Sequence, residues 1–184
     1  ILHSKGYTLT GSDNNESDPL SRVKALGVEV SMGHKAENVL GADLVVYSAA
    51  ISKDNPEIVA AKLLGIPTME RSHLLGALTR KYNNVIGGSG THGKTTTTSM
   101  LSQILLQADT DPTLFIGGTL KSIQGNVRIG SSGYFVTEAC EYTNSFLQFF
   151  PEISIILNVE EDHMDFFKDI HEIRDSFHRF ASLL

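Results

Sequence analysis

Short apolar runs alternate along the chain with stretches whose apolar residues recur at helical spacing. Residues 7–10 read as a strand ending at Gly11-Ser12-Asp13. Residues 19–26 read as a helix closed by Gly27, because glycine takes the left-handed terminating conformation at least steric cost. Strands are expected at 28–30, 44–47 and 66–69, a helical turn at 36–40, and a helix at 56–64 with Pro56 in its first turn. A helix over 73–80 leads to Lys81-Tyr82-Asn83-Asn84, a polar joint that divides the chain into expected domains 1–82 and 83–184. This βαβα rhythm predicts an α/β fold, a parallel sheet flanked by helices.

A second α/β series starts with a strand at 85–86, which runs into a glycine-rich loop and a helix over 95–107. Further strands are expected at 113–115, 126–129, 135–137 and 153–159. The last helix, 170–184, carries Ile173, Phe177 and Phe180 at helical spacing, a stripe read as core packing. The best apolar runs, 43–51 and 153–157, are strand-sized and well short of the ~18 to 20 residues that span a bilayer.

Composition adds boundaries. The 184 residues are 41% hydrophobic and 20% charged, which excludes a disordered or low-complexity chain. Cys140, the single cysteine, cannot form an intrachain disulfide and fits a reducing, cytoplasmic setting. The chain opens Ile1-Leu2-His3 with no signal-peptide pattern and reads as a fragment. Its net charge of −6 falls entirely on residues 84–184, with seven acids between 160 and 175. Such a surface suits a divalent cation, or simply a solvated helix face, and argues against a nucleic-acid partner.

The strongest chemical signal is Gly88-Ser89-Gly90-Thr91-His92-Gly93-Lys94-Thr95, a G-x-x-x-x-G-K-[ST] pattern placed between a strand and a helix. Glycines let successive N–H groups face phosphate oxygens, and the helix N-terminus adds a positive dipole. Lys94 supplies a mobile charge for the β- and γ-phosphates, and the Thr95 hydroxyl can ligate Mg²⁺. The pattern arises by accident in roughly one chain of this length per hundred, so a nucleoside triphosphate is expected here. His92 fits either a phosphate contact or ordinary loop packing.

Thr91-His92-Gly93-Lys94-Thr95-Thr96-Thr97-Thr98 and Asn158-Val-Glu-Glu-Asp-His163-Met-Asp165 resemble motifs of the Mur ligases, the enzymes that build the peptidoglycan stem peptide. Gly33-His34, Tyr47-Ser48-Ala-Ala-Ile51, Asn55-Pro56-Glu57 and Arg71 resemble the amino-terminal domain of one branch of that family. Asp111-Pro-Thr113, Ile116-Gly-Gly118, Glu138-Ala-Cys-Glu-Tyr142 and Asn144-Ser145-Phe-Leu147 are similar to the same branch. The resemblance implies a Rossmann-like parallel-sheet amino-terminal domain, its first glycine-rich turn lying before residue 1. Part of a P-loop-type ATP-binding central domain would follow it.

The activity implied is ATP-dependent amide formation between L-alanine and the carboxylate of UDP-N-acetylmuramate, through an acyl phosphate. Alternatives are a sister ligase taking another amino acid, or a non-catalytic nucleotide-binding fragment. The resemblance also implies roles: Gly88 to Thr96 for ATP, Lys94 on the phosphates, Thr95 and Glu138 on one Mg²⁺, and His163 on a second.

Position in the chain bears on some of these. Glu138 and Asn158 follow apolar runs, which would set them at the carboxyl ends of parallel strands, the ligand edge of open α/β sheets. Glu138 otherwise reads as a surface loop carboxylate, and His163 as a capping or core histidine. Asp162 and Asp165 fit outer-shell partners of His163 or solvated acids. Asp13 fits a ribose contact or a plain turn role. His34, Ser48 and Arg71 are candidates for the sugar nucleotide, as are Asn144 and Ser145 for the substrate. Cys140 and Tyr142 stand where many relatives have Asp and Ser, and Cys140 lacks an obvious partner that would make it a nucleophile.

Overall fold

In the computed structural model, which describes residues 1–184, the chain divides into two units, Ile1–Arg71 and Ser72–Leu184. The first holds β1 (Thr10–Asp13), α1 (Asp18–Ala25), β2 (Glu29–Met32), β3 (Val45–Tyr47), α2 (Pro56–Leu63) and β4 (Thr68–Glu70). β1 pairs in parallel with β2, and β3 with β4. These short strands make two separate ladders rather than one continuous sheet. Ser17 caps α1 by accepting from Leu20 N, and Asn55 caps α2 by accepting from Glu57 N, so each helix starts at a side-chain acceptor just before a proline. Val39, Ala60 and Ala61 form the buried nucleus of this unit, with Val45 and Ile66 packed against it.

Helix α3 (Arg71–Thr79) packs with the second unit, although the polar joint at 81–84 comes after it. Its buried Gly76 meets the backbone of Gln148, and Thr79 Oγ1 accepts from Phe150 N at 3.3 Å. No sequence period announces either contact.

The second unit is built on β5 (Asn84–Ser89), α4 (Lys94–Gln107), β6 (Thr113–Leu120), β7 (Gly125–Arg128), β8 (Tyr134–Glu138), β9 (Ile153–Ile156) and α5 (Ile170–Ala181). The sheet order is β7-β6-β8-β5-β9. β6, β8, β5 and β9 run parallel, and β7 is antiparallel to β6. The strand at the β7 edge is expected, but its antiparallel direction is not specified by the sequence pattern. Only a 3₁₀ turn, Lys121–Ile123, and Gln124 link β6 to β7, whereas a parallel crossover needs a dozen or more residues. Asp111, just before β6, anchors the pair by accepting from Arg128 Nη2 (2.5 Å) and Ser131 N (2.7 Å). Hydrogen bonds from Ser131 and Arg128 hold its carboxyl far below the usual range.

The apolar stripe of α5 is core, as its spacing implies. Ile173, Phe177 and Phe180 are buried with Ala139, Phe146, Phe149 and Phe167. The Phe146 ring stacks on Phe180 at 4.6 Å and meets Phe177 edge-on at 5.3 Å. Burial of each such ring contributes roughly 1.5–3 kcal/mol. A second cluster sets Leu101 and Leu105 of α4 against Ile86, Leu114, Ile116 and Val136. This packing holds α4 where β5 delivers the chain. No helix is long and apolar enough to cross a membrane.

Candidate functional site

β5 ends at Ser89 and α4 begins at Lys94, so the glycine motif is the turn between them. Gly90 has φ +136°, and a Cβ there would lie 3.0 Å from Leu157 Cβ and 3.2 Å from Asn158 N. Only glycine passes so close in that conformation. Gly93 (φ +85°) precedes α4 without any side-chain cap, which leaves the first-turn N–H groups to an anion. A Cβ on Gly88 would fall 2.5 Å from Thr98 Cγ2, so that glycine lets α4 seat tightly. Ser89 is buried, and its carbonyl accepts from Leu157 N. Thr96 is exposed in the first turn of α4.

The chain after β9 leaves the ladder and grips the loop. Asn158 accepts from His92 N through Oδ1 (2.8 Å) and donates Nδ2 to His92 O (3.1 Å). Its carbonyl accepts from Thr91 N at 3.2 Å, and Thr91 Oγ1 accepts from Glu160 N at 2.9 Å. This is why β9 stops at Ile156, short of the expected 153–159. The His92 ring is exposed, 3.9 Å from an exposed Glu160 carboxylate, a pair of little energetic weight.

Lys94 Nζ donates to Gly90 O (2.6 Å), Thr91 O (3.2 Å) and both Glu141 oxygens (3.1 and 2.9 Å). Thr95 Oγ1 donates to Glu138 Oε2 at 3.0 Å. Glu138 Oε1 accepts from Gly117 N (2.7 Å) and Thr98 Oγ1 (3.4 Å). Glu138 is the last residue of β8, at the carboxyl edge of the parallel strands.

His163 lies instead beside Glu141 and Asp162, its Nε2 4.0 Å from Glu141 Oε1 and 3.9 Å from Asp162 Oδ2. Ligand atoms of these three residues all fall within 4.8 Å of one another. The Tyr142 ring packs on the His163 ring at 4.6 Å, while its hydroxyl donates to Asp165. That hydrogen bond to a carboxylate raises the Tyr142 pKa and keeps the phenol protonated. Burial raises the Cys140 thiol, the opposite of what a nucleophile needs. Asn144 accepts from Ser176 Oγ and so ties the loop to α5, while Ser145 Oγ donates to Tyr142 O within the loop.

In the first unit, His34 Nδ1 lies 3.2 Å from Glu57 Oε2 and 3.3 Å from Ser12 Oγ. Ser12 Oγ donates to Glu57 Oε2 at 2.8 Å, and Asn38 Nδ2 donates to Oε1 at 2.6 Å. Ser12 and Glu57 share one ring nitrogen, so this is no Ser–His–acid relay. Asp13 Oδ1 accepts from Asn15 N, Ser48 accepts from Ile51 N through its carbonyl, and Arg71 is exposed. None of these three is a partner of His34.

Burial pushes the Glu57 carboxyl up, but hydrogen bonds from Asn38, Ser12 and His34 outweigh it and hold the pKa below 4.5. A depressed folded value means the carboxylate stabilises this unit above the unfolded value. The contribution is lost as pH falls through the folded one. Hydrogen exchange across residues 1–71 should therefore show stability declining below about pH 4.5. Glu57→Gln should flatten that decline; an unchanged profile would remove Glu57 as its source.

The family model for the Mur ligase middle domain matches residues 89–184, and that described as Mur ligase family, catalytic domain, matches residues 1–83. The chain belongs to the Mur ligase family. This Mur ligase chain is 57% identical over 183 residues to the UDP-N-acetylmuramate–L-alanine ligase of Agathobacter rectalis, covering 99% of itself and 40% of that relative. It is 52% identical to the enzyme of that name from Acetivibrio thermocellus, covering 100% of itself and 39% of the relative. It thus spans about 40% of the length of the curated relatives it matches.

Among solved structures, UDP-N-acetylmuramate-alanine ligase of Thermotoga maritima superposes with TM-score 0.90 at 32% identity, over 98% of this chain and 43% of that one. The UDP-N-acetylmuramate:L-alanyl-gamma-D-glutamyl-meso-diaminopimelate ligase of Neisseria meningitides gives 0.92 at 28%, over 100% and 63%.

Two carboxylates of this Mur ligase carry no mark in the linear pattern. Glu141 stands within Glu138-Ala-Cys-Glu-Tyr142, but nothing in a linear pattern says that it turns inward to Lys94. Glu57 reads as an ordinary acid in a helix first turn until β1 and the 33–38 segment fold over it.

Proposed function

We propose that this chain supplies the sugar-nucleotide and ATP sites of a ligase that joins L-alanine to the carboxylate of UDP-N-acetylmuramate. ATP hands its γ-phosphoryl group to a carboxylate oxygen, and ADP leaves. The amine of L-alanine then attacks the acyl carbon, and phosphate leaves as the nitrogen gives up a proton. The observation that carries the reading is the Thr95–Glu138 pair, 3.0 Å apart, next to Lys94 at the mouth of the glycine loop.

Lys94 and the open N–H groups of α4 bind the β- and γ-phosphates. Thr95 and Glu138 offer oxygen donors of the kind Mg²⁺ takes, and His163 with Asp162 and Glu141 offers a second cation position. Mg²⁺ bound there would offset the repulsion between the γ-phosphate and the substrate carboxylate. His34 is our first candidate for the sugar nucleotide in the amino-terminal unit, with Asp13, Ser48 and Arg71 as further candidates. Dependence on ATP and a UDP-sugar supports a cytoplasmic setting for this reaction.

The test grafts residues 1–184 into the full-length Agathobacter rectalis relative and follows phosphate release. Release should require Mg²⁺, UDP-N-acetylmuramate and L-alanine together; a folded but inactive graft would count against the reading. The Neisseria meningitides neighbour, at TM-score 0.92, favours a second reading in which the amine comes from a peptide. A parallel graft into that protein, active where the first is not, would select it.

A further inference from the structure

Glu141 is a buried carboxylate that borders the second cation position, beside Asp162 and His163, and also pairs with Lys94, a contact to which the proposed chemistry gives no role. It is 2% exposed and sits three residues beyond Glu138, inside a cleft read as an anion site. A negative charge beside a triphosphate is unfavourable by itself, so its presence calls for a compensating role. Lys94 shows that role. An ammonium has three donors, and the protein satisfies them through Gly90 O, Thr91 O and the Glu141 carboxylate. A flexible side chain with much rotamer entropy to lose is thereby held over the loop before any ligand arrives.

We infer that Glu141 is a positioning residue for the nucleotide loop, a buried anion that holds the Lys94 ammonium at the phosphate site. This inference rests on the triphosphate reading above. The next residue extends the same device, because Tyr142 packs on His163, whose Nε2 lies 4.0 Å from Glu141 Oε1. Two consecutive residues thus face the two side chains that frame the cleft.

The test measures binding of AMP-PNP and of AMP, each with Mg²⁺, to the 184-residue chain and to Glu141→Gln by calorimetry. AMP lacks the phosphates that Lys94, the loop N–H groups and Mg²⁺ reach, so the ratio of the two affinities isolates those contacts, and repeating it without Mg²⁺ removes the cation's share. Positioning predicts that Glu141→Gln lowers the AMP-PNP preference by at least about tenfold. A merely structural carboxylate would weaken both ligands together, and a merely repulsive one would raise the AMP-PNP affinity; either result overturns the inference. Should Glu141→Gln not fold, Glu141→Asp keeps the charge, withdraws it by one methylene, and is judged on the same ratio. A wild-type chain with no preference for AMP-PNP would refute the triphosphate reading itself, and this inference with it, whereas a wild-type preference retained in the variant refutes only this one.

Discussion

Lys94→Ala is expected to weaken binding of a Mg²⁺–ATP analogue by at least about a hundredfold, since charged hydrogen bonds to two phosphates are lost together. The same change should destabilise the second unit by about 3–5 kcal/mol, because it strands a carboxylate that is 2% exposed without its cation. Both effects come from one atom. Nζ is placed by Gly90 O and Glu141 together, so the loss has a binding part and a folding part. Calorimetry reads the first, and urea unfolding without ligand reads the second. Full affinity in the variant would remove the triphosphate from this loop; full stability would mean that the ion pair contributes nothing to the fold.

Gly76→Ala is expected to destabilise the second unit by more than about 3 kcal/mol, against the usual rule for helices. In an ordinary helix interior that change stabilises by about 0.4–1 kcal/mol, because alanine restricts the unfolded chain. Here a Cβ would stand 1.9 Å from Gln148 O and 2.8 Å from its carbonyl carbon. Backbone cannot yield as a side-chain tip can, so α3 or the 142–150 segment must move. That movement would disturb the contact of Thr79 with Phe150 N and the Arg80 guanidinium seated 3.7 Å over the Phe150 ring. A urea midpoint equal to or above that of the parent chain would show that α3 does not approach Gln148 so closely.

These two positions differ in how far a linear reading reaches. Lys94 stands in a pattern whose every residue has a local reason, so the loop, its flanking strand and its helix could be placed without coordinates. The stripe of Ile173, Phe177 and Phe180 was readable for the same reason, since helical periodicity is a local property. Gly76 carries no such mark. Its neighbours Ser72, Leu78 and Thr79 are buried, yet the helix has no clean apolar period to show which face packs.

The antiparallel β7 and the early end of β9 were out of reach for another reason. Strand direction depends on the length of a turn, and the end of β9 depends on a competing grip by Asn158 on the loop. The family motifs paired Thr95 with Glu138 and set His163 apart, but they gave His163 no protein neighbours beyond Asp162 and Asp165. The fold brings Thr95 to Glu138, and sets His163 with Glu141 and Asp162.

What the amino-acid sequence by itself determined is the local chemistry: an α/β rhythm, a glycine loop that must cradle an anion, and family motifs that fix where the charged side chains occur. Turn glycines, caps and periodicity act within a few residues and survive in any reading of the chain. Only the tertiary structure decided which carboxylate meets which cation. Glu141 reaches Lys94 across 47 positions and Glu57 reaches Ser12 across 45, and contacts that distant exist only once β-strands set side by side have closed the intervening chain.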